Sequence, residues 1–236
     1  MNSFLGENKS VLILADGGLP SLLALAAARE SVAAGGAKGE ASRKASRGPG
    51  VLYMPGGDET NHLRRTAVER PAALLEIERV DAAAHGELRG PGAHGTGQAD
   101  TMRLIAAAYV AARHGYEIVV WPVQFGGTGG LDTPDIDRIA RTTDRALLVT
   151  RLVSLDAEEH GKPGIRVESP YVDFSDRQIA DLALDMSLPV ETCWWWSEGV
   201  PQGGSRTPLA DSELERWTAA LREVGWTRGR EAGVAR

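Results

Sequence analysis

An α/β domain with a parallel β-sheet sandwiched by helices is the fold class this sequence predicts, and three observations predict it. Segments with helical and strand-like patterns alternate through most of the chain, as βα units do and hairpin proteins do not. Val11 to Glu30, VLILADGGLPSLLALAAARE, joins a short apolar run to a Gly-Gly turn and then to an Ala/Leu-rich segment. Such a strand, turn and helix is the opening unit of a doubly wound sheet. With 236 residues, 42% of them apolar, the chain is long enough for one such domain with a sizeable core.

Each element has its own local reason. Val11 to Leu14 reads as a buried parallel strand and Ser21 to Glu30 as a helix apolar on most of its circumference. Lys38 to Arg47 lies in a Gly, Ala and Ser-rich loop, and Gly50 to Pro55 gives a second strand ended by Pro55 and Gly56-Gly57. Asp58 to Arg70 reads as a polar helix closed by Pro71, Ala73 to Val80 as a third strand, and Val80 to Gly97 as a loop. Asp100 caps a helix reaching His114, with Gly115 as its stop, and Glu117 to Pro122 is a β-branched strand. Gln124 to Leu131, containing GGTGG, reads as a loop, Asp135 to Thr143 as a short helix, and Ala146 to Val149 as the start of another strand. Ile165 to Phe174 is extended, and Ser175-Asp176-Arg177-Gln178 fits a capping box whose helix turns Ile179, Leu182, Ala183 and Met186 inward. Leu188-Pro189 stops that helix, and a last one starts at Thr207-Pro208 with Leu214, Trp217, Leu221 and Val224 at helical spacing. Residues 1–190 form the predicted main α/β domain, and residues 191–236 a helical extension packed on it as one structural unit.

Composition narrows the function. No apolar run approaches the length of a membrane span, and the N-terminus lacks a signal-peptide pattern, so a cytoplasmic protein is the simplest reading. The net charge of −6, from 26 basic and 32 acidic residues, argues against broad nucleic-acid binding. The single cysteine, Cys193, excludes an intrachain disulfide and a multi-cysteine metal site, and it reads as a small buried thiol. The five histidines are scattered without metal-ligand spacing, and no metal-ligating residue is assigned. Asp132, Asp135 and Asp137 form an acidic cluster that helix capping and solvation explain better than magnesium.

The loop at Asp16 to Ser21 carries the candidate chemistry. A glycine turn between a strand and a helix points backbone N–H groups and a helix N-terminus at one place, which suits a phosphate. Ala15, Asp16, Gly17, Gly18, Leu19 and Ser21, with Tyr53 on the second strand, are the candidate nucleotide-binding residues. Asp16 puts a carboxylate there, which repels an anion unless a metal intervenes or caps the helix through the N–H of Gly18 or Leu19. Pro20 suits a first helical turn, and Ser21 is equally a phosphate donor and a local hydrogen-bonder.

In its order, Asp16-Gly17-Gly18-Leu19-Pro20-Ser21 resembles the Ser-Gly-Gly-x-Asp-Ser loop of the N-type ATP pyrophosphatases, the PP-loop group of the adenine nucleotide alpha-hydrolase superfamily. Ser169-Pro170 through Ile179, then Leu188-Pro189-Val190-Glu191-Thr192, resembles the 7-cyano-7-deazaguanine synthases within that group. The resemblance implies a Rossmann-like sheet of the PP-loop type, ATP and Mg2+ as cofactors, a small-molecule nucleotide as ligand, and ATP-dependent adenylation as the chemistry. It leaves a homodimer or another protein as further partner and implies no membrane contact.

The departures are specific. Pro20 replaces the loop's aspartate and Asp16 its first serine. The family's four-cysteine zinc knuckle has no counterpart, because its Thr-Trp-Ser-Cys-Tyr motif reads Thr192-Cys193-Trp194-Trp195-Trp196 and Pro201 to Arg206 lacks cysteine. No zinc is therefore expected, and the tryptophans either fill the knuckle's volume or stack a base. The alternative function is a catalytically inactive member that senses nucleotide or binds another protein.

Overall fold

The structure, a computed structural model, describes residues 10–36, 47–55, 60–81, 97–127, 133–196 and 207–227. One parallel sheet runs through it in the order β3–β2–β1–β4–β5. Its strands are β1 (Val11–Ala15), β2 (Gly50–Tyr53), β3 (Glu78–Val80), β4 (Ile118–Val120) and β5 (Arg166–Glu168). The fold class is the expected one. β1 lies at the centre, with Ile13 opposite Val51 on one side and Val120 on the other.

Alternation along β1 builds both cores. Val11, Ile13 and Ala15 enter one apolar cluster with α1 (Leu19–Gly36), α2 (Asn61–Leu74), α5 (Asp176–Asp185) and α6 (Pro208–Glu223). Leu12 and Leu14 enter the other, with α3 (Gly97–His114) and α4 (Ile136–Glu159). A strand covered on both faces must be apolar throughout, which is why VLIL is unbroken. Leu12 and Ile13 have no exposed area, each burial being worth about 1.5–3 kcal/mol.

Several sequence expectations need correction. α1 begins at Leu19 rather than Ser21, because Gly18 already supplies the first helical carbonyl, to Leu22. Pro71 does not close α2 but sits inside its last turn. There it forgoes a single backbone bond, and Pro71 and Ala72 are buried in exchange. The third strand shrinks to three residues because Ala73 and Leu74 belong to α2. α3 starts at Gly97, so Asp100 lies within its first turn and is not its cap. β4 keeps only Ile118 to Val120 of the expected strand. Past β5, residues 170–173 turn rather than extend.

The largest correction is α4. The helix expected to end at Thr143 and the strand expected from Ala146 are one helix of 24 residues. No Gly or Pro interrupts Ile136 to Glu159, and an apolar run of four cannot by itself distinguish strand from helix. Thr142, Ala146, Val149, Val153 and Ala157 form its buried face.

The C-terminal elements follow their local signals. Ser175 and Gln178 form the reciprocal capping box at α5, and Thr207 caps α6 with Pro208 in its first turn. Of the expected α5 stripe, Ile179 and Ala183 are fully buried. A 3-10 turn at Val190–Thr192 leads to Trp194, Trp195 and Trp196, all buried. Trp195 stacks on Trp217 of α6, with ring centroids 6.4 Å apart and 13° between planes. The tryptophans thus fill a core that joins the C-terminal segment to α1 and β1. Asp58, the loop at 38–46, most of the loop at 80–97, residues 128–132 and residues 201–206 lie outside the described residues.

Helix ends show one further pattern. A left-handed residue closes α3 at Gly115, φ 77°, where Tyr116 N–H reaches back to Ala111 C=O. α5 ends in the same way at Ser187, φ 51°, where Leu188 N–H bonds Ala183 C=O. A side chain in that conformation costs about 1 kcal/mol that glycine does not. Ser187→Gly is expected to stabilise the protein by about 0.5–1 kcal/mol, read as a raised urea midpoint.

Candidate functional site

The chain leaves β1 towards β2 and β3, then returns to place β4 on the opposite side. Ligands in open α/β sheets bind at such a switch point, beyond the carboxyl ends of the strands. A cleft of about 290 Å³ lies there. Leu14, Ala15, Asp16, Gly18, Pro20 and Ser21 form one wall, and Trp121 to Phe125, following β4, form another. Four arginines reach it from four helices: Arg64 of α2, Arg103 of α3, Arg138 of α4 and Arg216 of α6. Met54, Asp100, Leu209, Glu213, Trp194 and Trp217 complete the lining. A second cavity, about 430 Å³, opens between α3 and α4 and is mostly apolar; Met54 lines both cavities.

The Asp16 loop is closed upon itself. Gly18 N–H donates to Asp16 Oδ1 at 2.9 Å, and the Ser21 hydroxyl donates to the same oxygen at 2.7 Å. Ser21 Oγ in turn accepts the Asp16 N–H at 3.0 Å. The carboxylate therefore takes the donors that a glycine turn would offer an outside anion, as the capping alternative required. Asp16 also faces outward, its side chain 51% exposed, with Arg64 Nη1 3.4 Å from Oδ2. Gly17 adopts φ 80° and lies against the Arg64 carbonyl, where a Cβ would come within 2.8 Å; only glycine fits there.

The candidate residues do not share one surface. Ala15, Asp16, Gly18 and Ser21 line the cleft, whereas Leu19 is fully buried. Gly17 faces the C-terminal segment, its carbonyl accepting the Trp194 N–H. Tyr53 pairs with Ala15 in the sheet register and donates its hydroxyl to the Asn61 carbonyl at 2.9 Å, at the head of α2. Asp135 caps α4 by accepting the Arg138 N–H, and Asp137 is exposed in the first turn.

Sequence reading missed the arginines. Arg64 is buried, donates to Thr60 Oγ1 and lies 3.9 Å above the Trp194 ring. Arg138 lies 4.2 Å above Phe125. Arg216 makes a fork to Asp176, 2.8 Å to Oδ2 and 2.6 Å to Oδ1, and donates to Gln124 and Glu213. Gln124 donates to Asp176 Oδ1, and Glu213 accepts the Trp217 indole N–H. Burial works against the Arg216 charge, but the hydrogen bonds and charges of Asp176 and Glu213 outweigh it and raise its pKa. Such a fixed network holds the cleft wall in one arrangement. Cys193, beside it in sequence, is buried, and burial with the charges of Asp16 and Glu191 pushes its thiol well up. It is neutral and not a nucleophile at pH 7.

No protein-family model matches the sequence, and no curated protein matches it. Solved structures with a similar fold include the U34-tRNA thiolase NcsA from Methanococcus maripaludis with its [4Fe-4S] cluster, at 11% identity and TM-score 0.48 over 95% of this chain and 74% of that one. An NAD+ synthetase from Burkholderia pseudomallei aligns at 15% identity and TM-score 0.39, over 95% and 76% of the two chains. An NMN synthetase from Francisella tularensis aligns at 11% identity and TM-score 0.40, over 96% and 90%. Likeness this distant assigns no activity to the cleft. Among the described residues, no group of three or more His, Cys, Asp or Glu could hold a metal, and no helix is long and apolar enough to cross a membrane.

Removing one partner of a buried ion pair strands the other charge. Asp176 is only 6% exposed and Arg216 24%, so Arg216→Met is expected to cost about 3 kcal/mol in urea unfolding. Asp176→Asn added to that variant is expected to recover part of the loss, which a double-mutant cycle reads directly.

Proposed function

We propose that the cleft between the ends of β1 and β4 binds an adenine nucleotide together with Mg2+. The observation that carries this reading is the meeting, at the switch point, of a strand–glycine turn–helix unit with arginines and aromatic rings from separate elements. Guanidinium groups suit phosphate oxygens, and ring faces suit a base. Ala15, Asp16, Gly18 and Ser21 form the phosphate side, with Gly17 and Leu19 shaping the turn behind them. Tyr53 acts from behind, holding Asn61 and so the helix that carries Arg64.

The residues present fit a magnesium nucleotide. Mg2+ needs one or two carboxylates and completes its octahedron with water and phosphate oxygens, and the half-exposed Asp16 carboxylate supplies such a ligand. Bound there, the ion would neutralise phosphate charge. Asp16 turns its carboxylate into the cleft, Arg64 holds position through Thr60 and Trp194, and Arg138 faces the same space.

If the protein is an enzyme, ATP-dependent adenylation is the chemistry consistent with the sequence resemblance, and 7-cyano-7-deazaguanine synthesis its finest form. The capping-box helix after Ser169-Pro170 supports that finer reading. The second reading, nucleotide binding without turnover, is favoured by one observation. Ser21 Oγ and Gly18 N–H are already spent on Asp16, which leaves fewer donors to stabilise a departing pyrophosphate.

Calorimetric titration with ATP and Mg2+ tests the proposal. Binding in the micromolar to millimolar range is expected, weakened at least about tenfold by Arg64→Ala, a loss of one charge-assisted contact. Pyrophosphate release assayed on the same sample separates the two readings. Absence of binding at millimolar ATP overturns both.

A further inference from the structure

α4 carries two apolar faces where one would suffice. Its inner face, Thr142 to Ala157, packs on the sheet and α3. On the outer side Leu148 is 71% exposed, Leu152 46% and Leu155 42%. At 100° per residue these leucines lie in one narrow stripe, with the exposed Asp144 on it between Leu148 and Arg141, and Arg141 and Glu159 at its two ends. Both end residues are exposed.

That arrangement is complementary to itself. If two α4 helices pack antiparallel about a two-fold axis beside Thr150, Leu148 of one faces Leu152 of the other, and Arg141 faces Glu159. The axis repeats each contact, as an isologous interface requires. A parallel pairing would instead set arginine beside arginine and glutamate beside glutamate. The Arg141–Glu159 pairs therefore favour the antiparallel direction.

We infer that the outer face of α4 is the dimerisation surface of this protein, its occupant α4 of a second copy in antiparallel register. The helix is roughly 36 Å long at 1.5 Å per residue; in this register Leu148 and Leu152 pair across the axis, Leu155 lies opposite the level of Asp144 and Arg145, and an ion pair closes each end. The assignment is independent of what the cleft binds.

Sedimentation equilibrium of the full chain over a wide concentration range reads the self-association. A dimer is expected, with Leu148→Glu shifting it to monomer while its thermal melt stays that of a folded protein. Arg141→Glu is expected to weaken the dimer about tenfold by setting like charges together twice. Arg141→Glu combined with Glu159→Arg restores the pairs in reverse and is expected to restore the dimer. A monomer at every concentration overturns the inference, as does a dimer that Leu148→Glu leaves intact. A charge reversal that weakens the dimer without rescue by the double variant overturns the antiparallel register.

Discussion

The Asp16 carboxylate is the interaction on which the site depends. One oxygen gathers the Gly18 N–H and the Ser21 hydroxyl, so it sets the entry angle of α1 and the conformation of the turn. Hydrogen bonds to a charged group are worth about 1.5–3 kcal/mol when buried, and less here because the side chain is half exposed. Everything around the loop is arranged to keep that geometry. Trp194 N–H holds the Gly17 carbonyl, and the close approach of α2 fills the space beside Gly17. A residue with a negative charge thus stands where an anion would otherwise sit, and the ligand must be accommodated around it.

The cleft is equally a product of packing far from it. Arg216 ties α6 to α5 through Asp176 and to the segment after β4 through Gln124. The tryptophans behind it stack into the core that contains β1 and α1. A change at Trp195 would reach the cleft through that stack, since its ring lies against Trp217, which lines the cavity. Binding geometry and the stability of the C-terminal helix are therefore coupled in this fold.

Much of the architecture was legible because it is written locally. The unbroken apolar β1, the capping box at Ser175, Thr207-Pro208 at α6 and the Gly115 stop each rest on a few adjacent residues. α4 was not legible: Ala146 to Val149 reads as strand until one sees that only Ala146 and Val149 turn inward. Pro71 misled for a related reason, since a proline near a helix end costs little when burial offsets it. Within the site, the loop and its self-capping aspartate could be read from six consecutive residues. The arginines could not, because Arg64 meets Asp16 across 48 positions and Arg216 meets Gln124 across 92. Their one sequence signal was a cationic residue on an otherwise inward helical face, which many surface helices share.

The chemistry of the cleft turns on Asp16 occupying the place of an anion. The most direct measurement is the affinity for ATP with and without Mg2+, in the native protein and in Asp16→Ser. With the carboxylate present, binding is predicted to be strong only with the metal and at least about tenfold weaker in EDTA, from charge repulsion close to the phosphates. In Asp16→Ser the freed donors are predicted to bind metal-free ATP more tightly than the native protein does, so that the metal dependence shrinks. An affinity for metal-free ATP that Asp16→Ser leaves unchanged or weakens would contradict this role of Asp16.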